Sequence, residues 1–350
     1  MRGKKWLLWL SALLAVLALA TVAAGCGGDD DDEEGAGDTA AATDTGAGAE
    51  GEPIMVCLVT DIGGLNDRGF NSLANQGLER AASELGAETR VLESQSDQDY
   101  IPNLSQCAED GNDLIISVGF LMGEATEKAA AEFPDATFAI IDFAYEAPAD
   151  NLQGLVFKEQ EAGYLVGYLA GLANESGTVS SVGGQKIPPV DRFIAGFRKG
   201  AADAKPDITT LNGYSQDFVD QAKCKEVALD QIAKGSDVVF QVAGGCGLGA
   251  LDAADEKSVW GIGVDADQAH LGDHVLTSAL KKVDVAVFQT IEKAVNGEQV
   301  GGGTSVFGLA EEAVGLGETS PNADAALVEQ TEAQAQKIID GEITIPETVE

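Results

Sequence analysis

Ile54-Met-Val-Cys-Leu-Val-Thr60-Asp61-Ile-Gly-Gly-Leu-Asn66-Asp67-Arg-Gly-Phe70-Asn71 is the stretch on which the fold turns. Its first seven residues form an unbroken apolar run of strand length. Such a run, without polar alternation, suits a strand covered on both faces, as in parallel sheets. A glycine-rich polar turn follows. A helical period then begins, with Leu73, Gly77, Leu78, Ala81, Ala82 and Leu85 on one face and Gly86 as the stop. Strand, turn and helix recur outward from there. Strand patterns at 89–93, 114–118 and 137–141 alternate with helical patterns at 100–109 and 124–132. The alternation restarts with helices at 159–172, 190–204, 218–234 and 247–256 and strands at 178–182, 208–211, 237–242 and 259–264. A strand at 275–279 and a helix at 283–296 close the series, and 325–339 has a further helical period. The expectation is an α/β protein of two Rossmann-like parallel-sheet lobes joined by a hinge. Residues 54–157 plus 275–350 are expected to form lobe one, and 158–274 lobe two.

The N-terminus reads differently. Met1-Arg-Gly-Lys-Lys precedes an apolar run from Trp6 to Ala20 and a small-residue stretch ending Ala23-Ala24-Gly25-Cys26. Charged, apolar and small-residue parts in that order make a secretory signal over residues 1–25. The apolar run is short for a membrane span. The box before Cys26 resembles the lipobox of bacterial lipoproteins, so cleavage would free the Cys26 thiol for lipidation; an ordinary signal cut near Ala24 is the alternative. Residues 26–53 open with the acidic run Asp29–Glu34 and have no apolar period, as a solvated linker would. The acidic run lacks the ligand spacing of a calcium loop.

A formal net charge of −37 argues against a nucleic-acid partner, which needs clustered Lys and Arg. Beyond Cys26 the cysteines are Cys57, Cys107, Cys224 and Cys246. In an exported protein they suggest two disulfides with three possible pairings. Cys57 with Cys107 and Cys224 with Cys246 would keep each bridge inside one lobe. No Cys-x-x-Cys occurs, and a zinc ribbon or thioredoxin-like site is not expected.

In open α/β sheets, ligands sit beyond the carboxyl ends of the strands. The residues placed there are Asp61, Phe70 and Asn71 after the first strand, and Asp142-Phe143 after Ile141. Further along come Gly183-Gly184 with Phe193, then Gly244-Gly245, Asp265-Ala-Asp267-Gln268, and Thr277-Ser278 with Lys281. By spacing alone, Phe70 and Phe193 read as core more than as ligand contacts, Asp142 and Asp265 suit turn or cap roles as well as ligand roles, and Lys281 reads as a solvated lysine.

Taken in order, these segments resemble the basic membrane protein family of ABC-transporter substrate-binding lipoproteins, which includes purine-nucleoside receptors. The likeness spans nearly all of residues 54–346; Gly69 departs from it, the family usually having Ser before the Phe-Asn pair. The resemblance implies a type I periplasmic-binding fold and a small-molecule ligand, a purine nucleoside, held between two lobes. It implies ABC permease subunits as partners, with the protein lipid-anchored on the extracytoplasmic face of the cell membrane. It further implies that Phe70 and Phe193 sandwich the base and that Asp142 reads the base edge, helped by Asn71 or Asp61. Asp265 and Lys281 would grip the ribose, with Gly245 allowing close backbone approach.

No cofactor, metal or catalytic residue is expected. Gly244-Gly-Cys-Gly-Leu-Gly249 opens a helix after a strand, but its spacing is wrong for a dinucleotide fingerprint. His270 and His274 are the only histidines and lack the metalloprotease glutamate; no Gly-x-Ser-x-Gly elbow occurs. Three rival functions remain: the same fold binding a sugar, an autoinducer or an acyclic amide; a nucleoside hydrolase using Asp61 and Asp67; and a ligand-sensing subunit for a surface receptor in place of an importer.

Overall fold

The computed structural model describes residues 53–349. The signal-like segment, Cys26 and the linker up to residue 52 lie outside the described residues. Twelve strands and nine α-helices follow in the described part. The first half runs β1 (Met55–Thr60), α1 (Phe70–Leu85), β2 (Glu88–Leu92), α2 (Tyr100–Glu109), β3 (Leu114–Val118), α3 (Gly123–Glu132), β4 (Thr137–Ile141) and β5 (Leu152–Phe157). The second runs α4 (Glu159–Ala173), β6 (Thr178–Gly183), α5 (Pro188–Ala204), β7 (Thr209–Tyr214), α6 (Gln221–Ala233), β8 (Val238–Val242), α7 (Gly247–Lys257), β9 (Trp260–Asp265) and β10 (Val275–Lys281). The chain ends with α8 (Val283–Val295), β11 (Gly303–Phe307), β12 (Val314–Leu316) and α9 (Ala325–Ile339).

Two six-stranded sheets result, ordered β11-β5-β4-β3-β1-β2 and β12-β10-β9-β8-β6-β7. All pairings are parallel except β10 with β12. Strands β3 and β8 are buried along their whole length, as largely apolar strands of a parallel sheet are. Register aligns the carboxyl ends: Thr60 pairs with Val118 and Val118 with Ile141, so Asp61, Gly119 and Asp142 emerge side by side. In the second sheet Gly183 pairs with Val242 and Asp265 with Leu280, which brings Gly184, Gly244, Asp265 and Lys281 to the matching edge.

The chain passes between the sheets three times: from β5 into α4, from β10 into α8, and from β11 to β12. The expected assignment of residues 275–350 to lobe one is therefore corrected. Strands β10 and β12 belong to the second sheet, and α9 packs on α4; only α8, against α1, and β11 return to the first. The misreading has a physical origin. Parallel neighbours are usually joined by a full crossover helix, and residues 266–274 between β9 and β10 hold only a short 3₁₀ turn. Residues 343–346 form no strand, and Ile343 and Ile345 pack against the cluster of Tyr164, Leu165 and Ile338.

Glycines let the crossover helices approach their neighbours closely. Gly163, Gly167 and Gly171 on α4 lie against the backbone of Phe193, Phe197 and Ala201 on α5, Gly196 and Gly200 on α5 lie against that of Gln160 and Tyr164 on α4, and a β-carbon at Gly167 would run into the Phe197 carbonyl. Gly77 does the same for α1 against the backbone of Asp284 on α8. The disulfides are Cys57–Cys107, joining β1 to α2, and Cys224–Cys246, joining α6 to the turn before α7, with Cα–Cα separations of 5.9 and 5.6 Å. No helix among the described residues is long and apolar enough to cross a membrane.

Replacing Gly167 by Ala should gain about 1 kcal/mol of helix propensity yet lose more to overpacking, for a net destabilisation of about 1–2 kcal/mol. Urea unfolding measures it. Unchanged or increased stability would show that α4 and α5 are not in backbone contact.

Candidate functional site

The two sheet edges face one crevice. Lining it from the first lobe are Asp61, Asp67, Phe70, Asn71, Phe120 and Asp142; from the second come Phe193, Phe218, Gly244, Gly245, Asp265 and Lys281. All eight residues expected to touch ligand, Asp61, Phe70, Asn71, Asp142, Phe193, Gly245, Asp265 and Lys281, line this one space. Its enclosed space is narrow, about 70 Å³, and reaches about 600 Å³ only when every gap between side chains and the open mouth are included. The lobes meet across it. Gly69 lies against Asp265, with 3.8 Å from its ideal β-carbon to the Asp265 carboxylate, and Gly245 lies against the backbone of Asp67.

The β1–α1 turn holds its polar groups rigidly. Asp67 caps α1, its Oδ2 accepting from the Asn71 backbone at 2.6 Å and its Oδ1 from Gly69 and Ser72 at 3.0 and 3.1 Å. Asp61 Oδ1 accepts from Gly63 and from Asn71 Nδ2, both at 2.9 Å. Asn71 Nδ2 also reaches Asp67 Oδ2 at 3.1 Å. The amide hydrogens of Asn71 are thus spent inside the protein, and its Oδ1 is left buried without a partner. An orphan acceptor in a crevice awaits a donor from outside the protein.

Lys281 is 1% exposed. Its Nζ donates to Asp142 Oδ2 at 2.6 Å and to Glu159 Oε1 at 2.9 Å. Asp142 belongs to the first lobe and Lys281 to the second, so this ion pair spans the cleft. Glu159, the first residue of α4, is held from its other side by Arg192 Nε at 2.6 Å. Three rings surround the same ammonium, with Phe157, Phe70 and Phe193 centroids at 5.0, 5.1 and 5.9 Å. Phe193 serves as core too, meeting Phe240 edge-on. Phe70 begins α1 and is only half buried.

Asp142 and Asp265 both take left-handed backbone, at φ 73° and 62°. Strain of that kind in a non-glycine residue collects at ligand sites. Burial pushes the Asp61 carboxyl up to about 6 and that of Asp265 to about 7, Lys281 pulling Asp265 back only in part. Burial also raises Asp142, against the pull of Lys281. Glu159 goes the other way: burial opposes its charge, but Lys281 and Arg192 together hold its carboxyl below the usual range. Among the described residues the Asp265 carboxylate accepts no hydrogen bond, and Asp142 Oδ1, though close to Lys281, lacks a well-directed donor. The crevice is a set of buried acceptors between aromatic rings, with one shared cation.

Phe120, Phe218, Glu159 and Arg192 were not singled out from the sequence. Phe120 and Phe218 also follow strand ends, the signal used for the others. Glu159 and Arg192 look like ordinary helix charges until the fold brings them together. His270 and His274 lie on the β9–β10 connection, away from the crevice. Among the described residues no group of three or more His, Cys, Asp or Glu is arranged to hold a metal.

The family model described as ABC transporter substrate-binding protein, PnrA-like, matches residues 54–349. The chain belongs to this family. It is 35% identical to a CD4+ T-cell-stimulating antigen of Listeria monocytogenes, over 83% of this chain and 88% of that one. It is 32% identical to the ABC transporter nucleoside-binding protein BmpA of Lactococcus lactis, over 84% and 89%. Among solved structures, an ABC transporter solute-binding protein from Aeropyrum pernix superposes with a TM-score of 0.76 at 30% identity, over 85% of this chain and 94% of that one. The fold is thus that of ABC solute-binding proteins.

Carboxyls raised on folding favour the folded state as pH falls. Asp61 and Asp265 are charged in both states at pH 8 and take up protons in the native state first, near 6 to 7. The ligand-free protein should therefore gain stability between pH 8 and 5.5, about 2 kcal/mol of it from Asp265. Thermal melts should show the rise, and Asp265→Asn should flatten it. A wild-type Tm that falls over this window, or a slope untouched by the substitution, contradicts the electrostatics.

Proposed function

We propose that the folded domain captures a purine nucleoside between its lobes and presents it to an ABC permease. Phe70 and Phe193 stack on the two faces of the base. Asp142 accepts from the base edge, beside the free Asn71 Oδ1 and Asp61. The vicinal ribose hydroxyls donate to Asp265, with Lys281 as donor to a ribose oxygen and Gly245 letting the backbone approach. A carboxylate with two free oxygens suits a pair of neighbouring hydroxyls.

The observation that carries this reading is the pair of rings from opposite lobes, both within 5.9 Å of the Lys281 ammonium and lining the same crevice as the Asp142 and Asp265 carboxylates. The name of the Lactococcus relative agrees with it. No bond is made or broken: Asp67, one of the two acids a hydrolase would need, is spent as the cap of α1. The three chain crossings form a hinge, and closure is driven by whatever binds the closed form better than the open one. Lipidation at Cys26 would tether the domain on the extracytoplasmic face of the membrane, in keeping with relatives named as lipoproteins.

Calorimetric titration with inosine, guanosine, adenosine and ribose at pH 7.5 tests the proposal. At least one nucleoside should bind with Kd below about 10 μM, near −7 kcal/mol, and ribose should bind far more weakly. Phe193→Ala should weaken nucleoside binding by about 1–3 kcal/mol, the scale of one stacked base. Affinity should also fall as pH drops below 7, since hydroxyl donors favour the ionised form of Asp265. Tight binding of ribose with every nucleoside rejected would overturn the reading in favour of a sugar.

A further inference from the structure

We propose that Glu159, a residue outside the ligand space, is a positioning residue that keeps Lys281 from neutralising the carboxylates the ligand needs. The inference rests on the nucleoside reading above for its ligand but on geometry for its logic.

Several carboxylates compete for one ammonium in this crevice. Lys281 Nζ touches Asp142 and Glu159 directly, and Asp265 lies close enough to feel its charge. Asp142 and Asp265 line the crevice; Glu159 does not. Glu159 is fully buried, with one oxygen on Lys281 and the other on Arg192. It is thus a fixed negative charge on the far side of the ammonium, permanently ionised by its two cations. The share of Lys281 that it takes is withheld from Asp265, while both Asp142 oxygens stay within 2.6 Å of the ammonium. That is why the Asp265 oxygens can stay without a donor although the charge of Lys281 acts on their carboxyl.

Place in the fold adds a second consequence. Glu159 opens α4 in the second lobe, and α4 is locked to α5 by glycine contacts, so Glu159, Arg192 and Lys281 move as one body. Asp142 stands on the first lobe. When the lobes part, the Lys281–Asp142 pair breaks and the Lys281–Glu159 pair remains. The ammonium therefore stays aimed into the open cleft instead of swinging out to water. Buried charge left unpaired is costly, and Glu159 ensures that Lys281 is paired in both states. The charged groups facing Glu159 are Lys281 from β10, Arg192 from α5, and Asp142 and Asp265 from the two strand ends; Glu347 of the C-terminal segment acts on Arg192.

The test uses the intact lipoprotein in detergent, with inosine as probe, and reads Kd from pH 5 to 8.5. In Glu159→Gln the ammonium passes wholly to Asp142 and Asp265. Affinity at pH 7.5 should fall tenfold or more, and the acidic limb of binding should move down by half a pH unit or more. Arg192→Met removes a cation from the same chain and should move that limb up, the opposite direction. Loss of packing alone would weaken both variants and leave the limb in place. An unmoved limb, or the same direction of movement in both, overturns the assignment. Should the wild type bind no nucleoside, the nucleoside reading fails by itself. The limb is then read from the pH dependence of Tm without ligand, where an unmoved Glu159→Gln profile overturns the Glu159 role independently. If Glu159→Gln does not fold, Arg192→Met carries the test, and a limb that stays or moves down counts against it.

Discussion

A single ammonium group sits where the two lobes, the hinge and the crevice meet. Lys281 ends a strand of the second sheet, pairs across the cleft with Asp142 of the first, and lies over Phe157 beside the hinge. Phe157 in turn stacks on Phe307 at 5.2 Å, so two of the three crossing strands touch one another directly behind it. A buried lysine is tolerated only with its charge matched, and here the match comes from both lobes. Ligand chemistry and lobe geometry are consequently one problem, since nothing can alter the surroundings of Lys281 without acting on the cleft.

The two lobes repeat one design. Each has a first strand flanked by the second and third, each joins its fourth and fifth strands without a full helix, and each receives a crossover helix from its neighbour. The repeat puts equivalent groups face to face. Asp142 follows β4 as Asp265 ends β9, both on left-handed backbone. Phe70 begins α1, and Phe193 lies in the first turns of α5. Rings and carboxylates at matching positions of two similar lobes give a binding space with an aromatic and an acid on either side. The glycine-mediated contacts of α4 with α5 and of α1 with α8 set the helices that carry the two rings.

Much of this was legible in the residues. The largely apolar runs at 54–60, 114–118 and 238–242 are long enough to be strands covered on both faces, and the turns after them line the crevice. The eight residues proposed as ligand contacts converge because strand ends in a parallel sheet converge. What was lost had no local signal. β5, Leu152–Phe157, mixes polar and apolar residues, and β11 and β12 are a half-exposed edge strand and a three-residue one, too weak in pattern to stand out. The return of β10 to the second sheet depends on a helix-free connection that resembles a lobe boundary. Glu159 and Arg192 read as a helix's ordinary charges; only tertiary packing of α4 on α5 makes them a pair, and only the sheet's edge brings Lys281 to them.

The central claim is a position in space: a planar base between Phe70 and Phe193, and a pentose against Asp265. A crystal structure of the protein grown with inosine addresses it without inference from affinity. The account predicts density for the purine between the two rings, the ribose hydroxyls within hydrogen-bond distance of the Asp265 carboxylate, and Lys281 still on Glu159. Inosine bound elsewhere, or lying in the crevice with its base off both rings, contradicts it.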